Sequence, residues 1–385
     1  MVSVWGIMIR HVDTFAVAPR WLFVRIETDD GLVGWGEASL EGNVAPVRAL
    51  VAQYGDYLVG KDEARIADHW TVLSKSGFYR GGPVMGSALA GVDQALWDIA
   101  GKRLGVPVHR LLGGAVRDRI RVYAWIGGDA PSHVGEAATA MVEAGFTAVK
   151  MNASPQMSPL PTLEEVQGVV GRVSAVRDAI GPTRDVGVDF HGRVTLQGAK
   201  RLAHALEDLY PMFIEEPTEP QHQFRLSELK TSIPIATGER LYSKEEFLDV
   251  LQCGVGILQP DVSHAGGISE VVRIASLADT FGAALAPHCP IGPIALAACL
   301  QLGFATPNHV IQEQSGGIHY NTTAELVDYV ADRSWLQFDH GYVNLWDAPG
   351  LGIDVDEAAV RKADAKAKDW ITPLWRHEDG TFAEW

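Results

Sequence analysis

Between residues 120 and 314 eight short apolar runs recur, IRVYAWI, TAVKMNA, DVGVDFH, MFIEEP, IPIATGE, VGILQPD, AALAPH and HVIQEQ, separated by stretches long enough for a helix. Seven of them carry a polar residue at or near their end: Lys150, Asp189, Glu215, Glu239, Asp261, His288 and Glu313. Successive members are 39, 26, 24, 22, 27 and 25 residues apart. One strand with its crossover helix takes about that length, so each polar residue falls at the same end of its own strand. Repetition on this beat predicts a parallel (β/α) barrel rather than an open sheet.

The flanks read differently. LFVRIET (22–28), the turn DDG and LVGWGEA (32–38) predict a β-hairpin. PVMGSALAGVDQALWDIAGKRLG, with Pro83 at its start and Gly105 at its end, predicts a long helix. Residues 1–118 are therefore expected to form an α+β capping unit and 119–339 the barrel. The segment 340–385, with the strand signal PGLGIDVDE and the charged helix EAAVRKADAKAKDW, is too small to fold alone and is expected to pack back on the cap.

Charge narrows the function. Forty-eight acidic against 32 basic residues give a net charge of −16, which repels phosphate backbones and anionic membranes, so neither nucleic acid nor membrane is an expected partner. One long stretch without Asp, Glu, Lys or Arg, 281–312, is interrupted by Pro287, His288, Pro290 and Pro293 well short of a spanning helix. Cys253, Cys289 and Cys299 form neither an even set nor a CxxC pair, so no disulfide framework or thiolate zinc site is read, and a cytoplasmic location fits.

The strand ends carry the chemistry. Asp189, Glu215 and Glu239 arrive on three consecutive strands, where converging carboxylates repel one another and a hard divalent cation such as Mg²⁺ relieves the repulsion. Three separate salt bridges are the competing reading; three acids in register weigh toward the metal. If DVGVDF continues as a strand, Asp189 and His191 share a face. Asp261 and His288 on neighbouring strand ends suit a carboxylate orienting an imidazole base, against the alternative of a structural histidine. Lys150 and Asn152 share a face and suit a substrate carboxylate, or mark a sheet edge. Glu313 is either a polar cap on the barrel or a carboxyl kept protonated to donate to developing oxyanion charge. GFYRGG (77–82) lacks both phosphate-loop patterns and is expected to be a mobile loop reaching over the barrel mouth, with Arg80 near the substrate.

The cap, the barrel and the series VKMN, DFHGRV, FIEEP, TGER, LQPDVSHAGGISE, APHCPIGPIALAACL and QEQSGGIHYN resemble the enolase superfamily, in its mandelate racemase branch, over nearly the whole chain. The resemblance implies an α/β fold, a modified TIM barrel (β/α)7β with an α+β capping domain built from the N-terminal section and the C-terminal tail. It implies Mg²⁺ held by Asp189, Glu215 and Glu239, a His288 and Asp261 dyad, His191 as a second acid/base group and Glu313 stabilising an enolate, in the pattern general to that superfamily. The implied activity is that of a hydro-lyase, removing the C2 proton and the 3-hydroxyl of a sugar acid. Racemase members carry a lysine where this chain has Asn152, which counts against two-face racemisation. A dehydratase of another aldonic or aldaric acid, a racemase or epimerase, and a catalytically silent barrel that binds sugar acids are the alternatives. The expected partners are a small sugar acid and further copies of the chain.

Overall fold

Seven parallel strands, Ala124–Ile126, Ala148–Asn152, Asp185–Asp189, Phe213–Glu215, Ile235–Thr237, Ile257–Leu258 and Ala284–Leu285, each pair with the next in chain order. The computed structural model in which they are seen describes residues 6–128, 131–318, 321 and 323–385. The eighth run closes the barrel through isolated parallel bridges, His309 to Leu285 and Gln312 to Val122, and not as a continuous strand. Helices Pro131–Glu143, Leu163–Ile180, Leu196–Leu206, Lys244–Gln252, Ile268–Thr280 and Pro293–Ala305 fill the crossovers; a 3-10 segment, Pro220–Glu228, replaces the helix between the fourth and fifth strands. Tyr123, Phe213, Ile257 and Ile311 pack with alanines inside the barrel, so it is a filled core with its polar residues at one end.

Register sets the site. Asn152 stands opposite Asp189, and Asp189 opposite Glu215, on three adjacent strands. The run IRVYAWI divides: Ala124–Ile126 enters the barrel, whereas Arg119–Arg121 pairs antiparallel with Tyr342–Asn344.

In the cap, Ile9–Val17, Trp21–Thr28 and Val33–Glu37 form an antiparallel sheet lying on the helix Pro83–Leu104. Contact is close because Gly36 has no Cβ: one there would sit 2.0 Å from the Gly91 carbonyl oxygen.

Buried acids hold cap to barrel. Asp93, on the long cap helix, accepts from the Ser269 backbone N–H at 2.9 Å and its hydroxyl at 2.6 Å, at the start of Ile268–Thr280. Glu37 accepts from the N–H groups of Gly292 (2.7 Å) and Ala295 (3.0 Å) at the start of Pro293–Ala305. Burial pushes both carboxyls up to about 7 against these hydrogen bonds. A carboxyl raised on folding favours the fold below its unfolded pKa and loses that contribution as pH rises through the folded value. For Asp93, raised from 3.8 to about 7, the loss runs over that window and amounts to a few kcal/mol at about 1.4 kcal/mol per unit. Asp93→Asn, which keeps partners for Ser269, is expected to flatten the fall in thermal midpoint between about pH 4 and about pH 7; an unchanged slope would contradict this account.

The C-terminal segment divides its contacts. Val108 donates to Gly350 and Leu351 to Asp98, and the helix Glu357–Asp364 packs on the first cap strand, with Arg25 paired to Glu357 at 3.0 Å and Ala16 donating to Asp364 at 2.8 Å. Departing from the expected return to the cap, Trp375–Arg376 and Phe382–Ala383 form a hairpin whose chain ends against the barrel mouth. No helix among the described residues is long and apolar enough to cross a membrane.

Candidate active site

The third barrel strand stops at Asp189, and His191 follows in a left-handed turn with φ of 55°. Its backbone N–H donates to Asp189 Oδ1 at 2.6 Å, so a carboxylate-capped turn brings the two together, and not the strand alternation expected from DVGVDF. Gly192 continues the turn at φ 64°; a Cβ there would lie 2.3 Å from the Arg240 guanidinium. Arg240 in turn grips Glu216 at 2.7 and 3.2 Å, and Gly238 donates to the same carboxylate at 3.2 Å. This clamp ties the loops after the fourth and fifth strands, which carry Glu215 and Glu239.

Lys150 is fully buried among acids. Its ammonium contacts Glu215, lies 2.9 Å from Glu313 and 3.5 Å from Asp189, and stands over the Trp125 ring at 4.6 Å. The alternative of a lysine on a sheet edge is thereby corrected, since its strand pairs on both sides; the ammonium read as suiting a substrate carboxylate is held by three carboxylates of the chain. Gln259 donates to the other Glu215 oxygen at 2.6 Å. Burial, opposed by Lys150 and reinforced by Asp189 and Glu313, holds Glu215 well above the usual carboxylate range. Burial also pushes Glu239 to about 7 against His288 and Arg240. Asp189, Glu215, Glu239 and Glu313 thus crowd together more carboxyl groups than Lys150 can pair, and the oxygens of the first three are the donor type that a hard divalent cation such as Mg²⁺ takes.

Asp261 and His288 meet at 2.7 Å, Oδ2 to Nδ1, which leaves His288 Nε2 directed to the carboxylates, 3.4 Å from Glu239 and 3.9 Å from Glu313. Although burial opposes it, Glu239, Glu313 and Asp261 hold the imidazole well above its ordinary range. A residue absent from the sequence-based set joins them: His264 Nδ1 approaches the same Asp261 oxygen at 3.7 Å while its Nε2 donates to the Ser39 carbonyl at 2.9 Å. The signal was DVSH, whose tight turn returns the fourth residue onto the first.

Glu313 accepts from Trp125 Nε1 at 3.0 Å and from the Cys289 N–H at 2.7 Å, besides pairing with Lys150. Against burial, Lys150 and His288 hold it below the usual range. The reading of Glu313 as a protonated donor is corrected: with three donors on its oxygens it is an acceptor. His319 and Tyr320 of QEQSGGIHYN lie outside the described residues.

Asn152, His191, Arg193, Trp125, Trp375 and Trp385 line a cleft of about 750 Å³. Asn152 Oδ1 is buried with no hydrogen-bond partner among the described residues. Arg80 is elsewhere. It is exposed, folds back on the Gly77 carbonyl at 2.9 Å and borders a separate cleft of about 230 Å³ with Trp70 and Tyr242. Its loop projects Phe78 and Tyr79 into solvent at 92% and 81% exposure, so the expected place beside the substrate is not where Arg80 stands.

Residues 12–113 match the mandelate racemase / muconate lactonizing enzyme N-terminal domain, and residues 133–359 the enolase C-terminal domain-like family. A D-galactonate dehydratase of Variovorax paradoxus is 50% identical over 98% of this chain and 100% of its own length, and one of Ralstonia nicotianae is 50% identical with the same coverage. Among solved structures, an enolase from Agrobacterium radiobacter with sodium and L-malate bound superposes with a TM-score of 0.89 at 30% identity, covering 98% of this chain and 99% of that one. A mandelate racemase/muconate lactonizing enzyme from Jannaschia sp. gives 0.85 at 36% identity, covering 92% and 97%. A cap over a parallel barrel, carboxylates on consecutive strand ends and two matched family domains lead to one assignment: the chain belongs to the mandelate racemase branch of the enolase superfamily.

Proposed function

We propose that this site dehydrates D-galactonate to 2-dehydro-3-deoxy-D-galactonate, with Mg²⁺ as the cofactor that Asp189, Glu215 and Glu239 would hold. The observation that carries the reading is two histidines at one carboxylate cluster: the His288 imidazole beside Glu239 and Glu313, and His191, whose backbone N–H is held by Asp189 while its ring lines the adjoining cleft. The relatives named D-galactonate dehydratase supply the sugar. Bound, Mg²⁺ would offset the excess negative charge and draw electron density from the substrate carboxylate, which acidifies C2.

His288 in its neutral form, with Nδ1–H on Asp261, takes the C2 proton through the unprotonated Nε2, leaving an enolate. His191 acts in its imidazolium form, with Nδ1–H on the Trp385 oxygen: it gives the second proton, on Nε2, to the 3-hydroxyl, the C3–O bond breaks, water leaves, and the enol product tautomerises to the 2-keto acid. Asn152 Oδ1 accepts from a substrate hydroxyl. Glu313 acts through its neighbours, steadying Lys150 and the loop that carries His288. Cytoplasmic location and self-association belong to the same proposal, supported by the free Cys253, Cys289 and Cys299 and by the exposed Phe78 and Tyr79 tip.

The test is purified protein with Mg²⁺ and D-galactonate, reading keto-acid formation, beside a panel of other aldonic and aldaric acids. Galactonate is expected to give the highest kcat/KM, and chelation to remove the activity. Turnover only of another acid would reassign the sugar. Labelled, inverted substrate in deuterated water with no keto acid would replace dehydration by racemisation.

A further inference from the structure

Among the described residues of the barrel, none is seen to hydrogen-bond the side chain of His191. It follows the last strand residue by two positions, in a left-handed turn, and the loop's backbone bonds leave the imidazole to its surroundings. Those surroundings are the far end of the chain. The ring's Nδ1 lies 3.1 Å from the main-chain oxygen of Trp385, and the two rings meet edge to face, centroids 5.4 Å apart at 86°. A main-chain oxygen only accepts, so Nδ1 carries a hydrogen whether the ring is neutral or charged, and Nε2 is the nitrogen left to gain and give the second proton at the cleft.

Trp385 is held in its turn. Its ring packs on Trp370 at 5.6 Å, Trp370 lies under the Arg20 guanidinium at 5.2 Å, and Arg20 pairs with Glu41 of the cap at 3.2 Å. On the barrel side Arg193, two residues beyond His191, covers the Trp375 ring at 4.7 Å, and Gln156 donates to the Arg376 carbonyl at 2.7 Å. Residues 370–385 therefore span from cap to barrel loops, and two of their indoles wall the cleft that His191 enters.

We infer that Trp385 is a positioning residue for His191: the tail fixes which imidazole nitrogen faces the substrate and where it stands, while the Trp385 and Trp375 rings form the wall against which the hydroxylated carbon chain of the sugar acid lies. This rests on the reading of His191 as the group that protonates the departing 3-hydroxyl. Proton removal at C2 belongs to His288, on the other side of the carboxylate cluster. Disturbing the tail accordingly separates two events that an intact site couples: abstraction and exchange at C2 continue, while loss of the 3-hydroxyl slows.

The experiment compares parent, Trp385→Ala, Trp385→Phe and His191→Asn with D-galactonate and Mg²⁺ in deuterated water, measuring C2 deuterium incorporation and keto-acid formation separately, with thermal unfolding of each protein. Trp385→Ala is expected to lower kcat for the keto acid by about 10–100-fold, the lower range of an acid–base contribution, while exchange at C2 stays within about threefold of the parent. Trp385→Phe, which restores an aromatic edge, should recover most of the loss. His191→Asn should show the same split more strongly. Equal loss of exchange and dehydration in Trp385→Ala, or no loss of either, beside a clear split in His191→Asn would overturn this inference alone. Normal dehydration by His191→Asn, or no reaction of the parent, would instead overturn the reading beneath it. If Trp385→Ala is unfolded, Trp385→Phe decides: a smaller split at an unchanged thermal midpoint supports the positioning role, and none refutes it.

Discussion

His288→Asn will lower turnover by roughly 10²–10⁴-fold, the usual worth of a positioned general base, and will abolish exchange of the C2 proton with solvent. The expectation comes from geometry. Asp261 Oδ2 binds His288 Nδ1 at 2.7 Å, and Nε2 is the nitrogen directed to the carboxylate cluster. An asparagine amide can still donate to Asp261 but has no basic nitrogen to accept a proton, so the fold should persist while the chemistry stops. Near-normal exchange with the variant would remove His288 from the mechanism. A parallel loss in Asp261→Asn is expected to be smaller, because the base remains and only its orientation and basicity suffer.

The second large effect concerns stability. Lys150 is the buried cation among Asp189, Glu215 and Glu313, with no exposure to water. Removing one partner from a buried ion cluster costs about 3–5 kcal/mol, since the remaining charges are left uncompensated. Lys150→Met is therefore expected to lower the unfolding free energy by that order in the presence of chelator. The sign of its pH dependence follows from Glu215, already held above its ordinary range: the penalty is largest at high pH and shrinks as pH falls and the carboxyls take up protons. Added Mg²⁺ should raise the thermal midpoint of the variant more than that of the parent, because the divalent ion meets the same excess charge. Equal stability of variant and parent under chelator would show that the cluster does not depend on this ammonium.

Both expectations show where sequence reasoning stops. The barrel was legible because a strand and a crossover helix take a fixed length of chain, so a periodic beat of polar residues after apolar runs carries three-dimensional meaning by itself. The pairing of Asp261 with His288 followed from the same beat, adjacent strands having adjacent ends. Arg80 shows the limit of proximity guesses. A glycine-rich loop in the cap can point anywhere, and this one points outward with its guanidinium on its own Gly77 carbonyl. The eighth run, expected as a strand, closes the barrel with bridges alone.

Charge state was beyond the sequence altogether. Glu313 read as a candidate proton donor because its neighbours in sequence, two glutamines, say nothing about charge. Its neighbours in space, Lys150 and His288, make it an acceptor. Asp189 and His191 met as expected, but through a turn that a strand pattern does not describe.

By itself, then, the sequence determined the architecture and the residue types at the barrel mouth, because both follow from local periodicity and repeat length. Tertiary structure decided what those residues are: which carboxyls are pushed toward holding a proton and which away from it, which imidazole shares Asp261, and that Trp385 reaches His191 from 194 positions away. Protonation and orientation depend on fields and contacts that fall off over a few ångströms, and only the folded chain sets those distances.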